Sequence, residues 1–550
     1  MKNITPGAPG EKKPFNYMRF ALWFAALYAI MLLFLWPDKK EQAKPQGVAP
    51  MERLDVPRAP VAFEAASLGG SFNAVGLRMD DVYLKDYFLL MKPGAGNVKL
   101  LRFDEKTGGD YVEVGFLGRT REAGVLPSAD TKWKVVQKSP EVLVLEWKNP
   151  GNAIFTRTLS IDDKYMVKVE DKVENKGKAV LSFYPYARVV RTIGEIAKGD
   201  QPVAFSGYLS DRLEELSARD IAKKKTETFA SKGGWFGFSD NYFMTAVMLP
   251  NDGTSTIRAI DPAALDPAPS EGKRVQADYV GEAKFVAPGE TFDMTNLIYL
   301  GAKESATLEK YKEGYNIPRF DLAVDYGFFY ILAKPFTVML RFLHGLTGNF
   351  GLAIIIFTII IRFLMWPISR KSIEAAARMK KLQPEMKRLQ ELYKGDKARM
   401  NMELAMLYKR EKMNPAAGCL PLLLQLPVFI ALYKALVISI EMRHAPFMLW
   451  ITDLSAPDPT TFFNLFGLLP YQPWTWLPHL GILPLFMGFT MWYQMKLQPA
   501  SMGTEQAKIM RWMPVLFTLM FAGLPSGLVL YWTVNNLLSI AQTKLTKDKQ

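Results

Sequence analysis

Residues 20–36 form a charge-free run of 17 residues, and five more apolar stretches crowd into the chain after residue 350. Runs of this kind cannot be left in water, and about 20 apolar residues suit a helix that crosses a bilayer. The later stretches are residues 352–368, 420–440, 480–495, 513–522 and 528–541. The mean hydropathy of +0.01 averages two unlike parts. Residues 57–320 read as a water-facing domain, and the long apolar runs follow it.

No small-x-small cleavage site follows the first run. Trp36-Pro-Asp-Lys-Lys40 stands there instead, which predicts an uncleaved anchor over 20–36, with residues 1–19 in the cytoplasm. Residues 37–60, rich in Pro, Lys and Gln, read as a linker. Over 61–320, short segments such as Val142-Leu-Val-Leu-Glu-Trp and Tyr165-Met-Val-Lys-Val-Glu alternate with turn signals such as Asn149-Pro-Gly and Asn251-Asp-Gly. That pattern predicts a large antiparallel β-sandwich outside the cytoplasm. The charged insert 212–225 reads as helical. Residues 325–349 carry apolar side chains at helical spacing with Lys334, Arg341 and His344 between them, which suits an amphipathic helix at the outer membrane surface.

Within 350–545, the five later runs alternate with loops so that six spans leave both termini inside. Residues 370–412 hold 13 Lys/Arg against 6 Asp/Glu. A cytoplasmic loop obeying the positive-inside rule accounts for this excess, and residues 370–413 read as a cytoplasmic helical hairpin punctuated by Pro384 and Gly395-Asp396. The net charge of +14 also leaves room for contact with RNA or anionic lipid headgroups. One cysteine, Cys419, and three scattered histidines give no disulfide, no metal-ligand spacing and no expected cofactor. No internal repeat points to a duplicated transporter.

Arg362 interrupts the second run. An arginine at a span's centre costs about 2.5–3.5 kcal/mol on insertion scales, and none of the other five runs contains an acid to pair with it. Snorkelling to the inner headgroups is one account. A hydrated groove is the other. Thr358 lies one turn from Arg362, the sixth run carries Tyr531, Asn535, Ser539 and Gln542 at spacings of 4, 4 and 3, and Gln425 sits in the third. Dry interhelical hydrogen bonding would also use such a stripe. Of 27 methionines, 17 follow residue 330, an abundance that suits surfaces accepting varied apolar partners.

Four motifs in order then resemble the YidC-type membrane protein insertases in their Gram-negative form. They are Ile360-Ile-Arg362-Phe-Leu-Met-Trp-Pro367, Asn414-Pro-Ala-Ala-Gly-Cys-Leu-Pro421-Leu-Leu-Leu-Gln425-Leu-Pro427, Ala445-Pro-Phe-Met-Leu-Trp-Ile-Thr-Asp-Leu-Ser455 and Pro525-Ser-Gly-Leu-Val-Leu-Tyr531-Trp532. The resemblance implies an α-helical polytopic protein of the bacterial inner membrane, with five helices enclosing a hydrophilic groove and a periplasmic β-supersandwich. It implies Arg362 as the functional cation with Thr358 beside it, Trp532 contacting clients, and residues 370–412 receiving them. Together with the polar stripe, the client-binding set becomes Arg362, Thr358, Gln425, Tyr531, Trp532 and Asn535. Implied partners are nascent membrane proteins, the Sec translocon, ribosomes and membrane lipids, with no small-molecule substrate and no enzyme chemistry. The rivals from the residues alone are a small-anion transporter and a membrane-anchored carbohydrate-binding module. Removal of residues 61–300 separates the last of these from an insertase. A client-insertion assay in proteoliposomes is expected to retain activity, because the groove belongs to the bundle.

Overall fold

The computed structural model describes residues 58–91, 94–104, 109–118, 125–193, 204–251, 253–261, 273–411, 420–469, 480–497 and 504–547. The expected anchor 20–36, the cytoplasmic segment before it and all but the end of the linker lie outside the described residues.

Strands between Pro60 and Ala302 form two antiparallel sheets, one of ten strands and one of nine. Alternation puts one face of each strand inward; Ala153–Ile161, for example, alternates buried and half-buried side chains throughout. Rings meet across the two sheets: Phe116 on Phe155 at 5.6 Å, Phe183 on Phe292 at 5.5 Å and Phe236 on Tyr279 at 6.1 Å. A buried ion pair ties the sheets as well. Arg157 donates to both carboxylate oxygens of Asp171, at 2.5 and 2.8 Å, and across to the Val114 carbonyl at 2.7 Å. Full satisfaction of the guanidinium is what makes this burial tolerable.

The charged insert 212–225 is only half helical. Arg212–Ser217 is a strand paired with Ala204–Leu209, and helix α1 covers just Ala218–Lys224. The cause is a two-residue turn, Ser210-Asp211, with φ of 48° and 62°, the left-handed geometry that closes tight hairpins. The local turn overrides the helical look of the charge run.

Helix α2 (Ser305–Gly314) leads through a short turn, where Phe320 packs on Trp235 and Tyr299, to the amphipathic helix α3 (Tyr330–Thr347). The bundle follows as α4 (Phe350–Leu364), α5 (Trp366–Leu392), α6 (Lys397–Arg410), α7 (Leu420–Ile438), α8 (Ile482–Leu497), α9 (Thr504–Phe521) and α10 (Ser526–Lys547). Helix α10 packs against α4, α7 and α8, α9 packs against α8, and α3 lies on α4 and α7. Outward side chains are apolar, with Phe363 76% and Trp512 70% exposed beside Leu364, Phe489 and Leu516. Apolar surface of this extent on a helical bundle marks a lipid-facing wall.

Three boundaries differ from the sequence expectation. The second run does not continue straight to residue 368: α4 ends at Leu364, and the chain bends by 63° into α5, which opens with Trp366-Pro367. Proline is well placed in a first helical turn, where its missing N–H has no partner to lose. Pro384 does not punctuate the hairpin, because α5 runs through it and the turn falls at Tyr393–Asp396, with the Asp396 side chain capping α6. The short fifth run, 513–522, is the second half of a longer helix, since α9 begins already at Thr504. Among the described residues no single helix is long and apolar enough to cross a membrane, and α4 with the start of α5 reaches that mark only across the bend.

In the ten-stranded sheet Glu113 is buried and accepts from Arg78 Nε at 2.8 Å, Arg188 Nη2 at 3.0 Å and the Tyr186 hydroxyl. Burial opposes its ionisation, but Arg188, Arg78 and Tyr186 outweigh that and hold the carboxyl at about 2, below its ordinary 4.5. A depressed carboxyl stabilises the fold fully above pH 4.5 and ceases to do so as pH falls toward 2. Glu113→Gln is expected to cost about 3–5 kcal/mol at neutral pH, since it removes the anion that two buried guanidinium groups share. Urea denaturation should show it, with the variant losing less further stability than the parent between pH 4.5 and 2.

Candidate functional site

Arg362 is carried on the last turn of α4 and reaches α10. Its Nε donates to the Asn535 side-chain oxygen at 2.7 Å, and Nη2 donates to the Asn535 carbonyl at 3.1 Å and to the Ser539 hydroxyl. Asn535 and Ser539 stand one turn apart on α10, so they meet the planar guanidinium fork from one side. All three acceptors are neutral. Among the described residues no carboxylate pairs with Arg362 and nothing accepts from its Nη1, while the side chain is half-buried. Neutral dipoles solvate the charge and leave it uncancelled.

One turn before Asn535, the buried Tyr531 hydroxyl accepts from Gln425 Nε2 of α7. Tyr531, Asn535 and Ser539 thus form a stripe that binds α10 to α7 through Gln425 and to α4 through Arg362. Thr358 behaves differently. It is fully buried, and its hydroxyl donates to the Ile354 carbonyl of its own helix at 2.6 Å, not toward Arg362. Trp532, next to Tyr531, is turned about 100° around the helix axis. It sits among Phe429, Phe517 and Phe521 at 5.1–6.1 Å between ring centres, so its face is covered by α7 and α9.

Sequence inspection missed a second polar seam. Asn536 donates to Thr490 Oγ1 at 3.2 Å and to the Met487 carbonyl at 3.5 Å, joining α10 to α8. The adjacent pair Asn535-Asn536 could have flagged it, because neighbouring positions on a helix face different partners. The outer end of the site is clasped by the recognised motifs. Ser526 and Gly527, at the start of α10, donate through their amides to the carbonyls of Ala456 and Leu454 at 2.8 and 2.9 Å. Asn349 caps α4 and donates to the Phe447 carbonyl at 3.0 Å, and any Cβ on Gly351 would strike the Phe447 ring. Asp458 is buried and accepts from the amides of Thr460 and Leu483, at 2.9 and 2.8 Å, which pins the outer loop to α8. No metal-binding group of His, Cys, Asp and Glu occurs among the described residues.

Comparison with known proteins decides the family. Residues 342–550 match the family described as 60Kd inner membrane protein, and residues 60–339 match the YidC periplasmic domain. The membrane protein insertase YidC of Sinorhizobium medicae is 40% identical, over 90% of this chain and 82% of its own. The YidC of Beijerinckia indica is also 40% identical, over 91% of this chain and 85% of its own. The chain belongs to the YidC family. It is therefore an inner-membrane protein with a periplasmic domain. A crystal structure of an active YidC insertase with its first transmembrane domain resolved aligns over 95% of this chain and 98% of its own, at 19% identity and a TM-score of 0.37.

The contrast between Thr358 and Asn535 is testable. Thr358→Val removes a hydroxyl bonded only within its own helix, and thermal unfolding in detergent is expected to change little. Asn535→Leu removes an acceptor from a charged donor and should cost about 1.5–3 kcal/mol of bundle stability.

Proposed function

We propose that this protein moves client transmembrane segments from the cytoplasm into the inner membrane through a hydrated groove centred on Arg362. Membership of the YidC family supports insertion of membrane proteins as the activity. The single observation that carries the mechanism is Arg362, hydrogen-bonded by Asn535 and Ser539 yet without a counter-ion among the described residues. Neutral acceptors fix its position and leave its charge available to an arriving carboxylate.

In this account a client's short outer segment, often acidic, enters from the cytoplasm and is held by the outward donors of Arg362 through a charge-assisted pair. Water in the groove lowers the cost of carrying polar groups part-way across. Gln425, Tyr531 and Asn535, buried in the resting bundle, come to line the path as a client enters, with Thr358 one turn along α4 from Arg362 and the aromatic cluster of Trp532 as the apolar wall. The client's helix then leaves into lipid, driven by apolar burial and by the membrane potential acting on its charge. The 63° break after α4 gives the hairpin α5–α6 a direction of its own, which suits a receiving arm at the cytoplasmic mouth. Six spans with both termini inside, a chaperone role, and work alone or with the Sec translocon and ribosomes complete the proposal. No covalent step, cofactor or metal enters it.

Arg362→Ala is expected to reduce insertion of clients with acidic outer segments by at least about tenfold, the equivalent of ~1.4 kcal/mol, while Arg362→Lys keeps most activity and neutral clients respond little. A reconstituted insertion assay checks this, and equal insertion of acidic clients by all three proteins would reject the role of the charge. A small-anion transporter would instead show saturable anion uptake in the same vesicles.

A further inference from the structure

Strand Arg78–Phe88 runs into a hairpin whose first arm ends, toward the tip, in Phe88-Leu89-Leu90-Met91, four consecutive apolar residues that are 48, 57, 59 and 51% exposed. An unbroken exposed run of this kind is unusual in a water-facing domain. The stem is firm. Leu89 N donates to the Gly96 carbonyl at 2.9 Å, Tyr87 donates to Glu304 at 3.0 Å, and the Tyr87 ring packs edge-on to Phe243 at 5.6 Å.

What lies beneath the tip fixes its height. Arg443 follows directly on the turn that ends α7, and its Nη2 donates to the carbonyls of Phe88 and Leu89 at 2.8 and 3.4 Å. The same guanidinium lies 5.5 Å from the Phe243 ring centre. The tip is thereby held at the outer end of a helix of the lipid-facing bundle. Ile331, Phe342 and Leu346 of α3, which packs on α7, and Leu449, six residues past Arg443, are exposed and apolar as well. Leu449 holds a φ of 57°, a conformation a leucine adopts only at a cost; the cost is recovered where its side chain has an apolar medium to enter.

We propose that the tip Phe88–Met91 inserts into the outer leaflet of the inner membrane, so that the periplasmic domain grips the lipid surface beside the bundle. The partner is phospholipid. The apolar side chains meet acyl chains, and Arg443 supplies a cation at the level of the phosphates. It also gives donors to two tip carbonyls, which would otherwise lose water on entering the interface. This contact is independent of the role of Arg362. It makes the domain a second membrane anchor that fixes its orientation over the outer end of the bundle.

The test uses the full chain in phospholipid vesicles, with Cys419, the only cysteine, changed to alanine and Leu90→Cys labelled with an environment-sensitive fluorophore. Insertion predicts blue-shifted emission, strong quenching by lipids carrying a spin label high on the acyl chain, and protection from aqueous iodide. Leu90 is solvent-exposed, so its replacement leaves the fold intact. Quenching by iodide with no effect of the labelled lipid would overturn the proposal. So would protection that appears only after another protein is added, since the tip would then be a protein-docking site.

Discussion

A guanidinium in an apolar bundle must find acceptors or water, and among the described residues Arg362 finds acceptors without finding an anion. That distinction organises the membrane half of the molecule. A carboxylate at Asn535 or Ser539 would close the site as an internal ion pair, with nothing left to attract a visitor. Neutral acceptors hold the fork in place and leave the head half-buried and its charge uncancelled. The same two residues sit on α10, whose adjoining face, about 100° round the axis, is tied to α8 through Asn536, Thr490 and Met487. Helix α10 is thus the post on which α4, α7 and α8 are hung, and Arg362 is one of its fastenings.

The outer loop explains why that post stands where it does. The amides of Ser526 and Gly527 bond to the loop carrying the Ala445–Ser455 motif, and Asn349 fastens the start of α4 to the same loop. A single clasp therefore sets the height of Arg362 on α4 against Asn535 on α10. Motifs far apart in the sequence turn out to be neighbours because they make this clasp, and their importance is first of all mechanical.

The polarity of the chain makes much of this legible in the sequence alone. Alternation between residues 60 and 302 sufficed for antiparallel strands, and the 4, 4, 3 spacing of Tyr531, Asn535, Ser539 and Gln542 sufficed for one polar stripe along the sixth run; that the stripe meets Arg362 is a matter of how α4 and α10 pack. What composition could not supply was conformation at single points. The Ser210-Asp211 turn converts a charged run to a strand, the break after Leu364 bends a run that reads as continuous, and Pro384 fits within a helix that its identity suggested it would end. Side-chain direction was equally hidden. Thr358 is on the correct turn yet bonds to its own helix, and Trp532 faces an aromatic wall because one residue's step around a helix is about 100°.

The central claim is that an acidic client segment comes to rest beside the uncancelled charge of Arg362. Photocrosslinking from position 425, which contacts Tyr531 one turn above the Arg362 fork, reads this directly. A stalled nascent chain with an acidic outer segment should crosslink through that segment, and the crosslink should fade when the segment is made neutral or Arg362 loses its charge. A crosslink of equal strength in all of these cases would contradict the account.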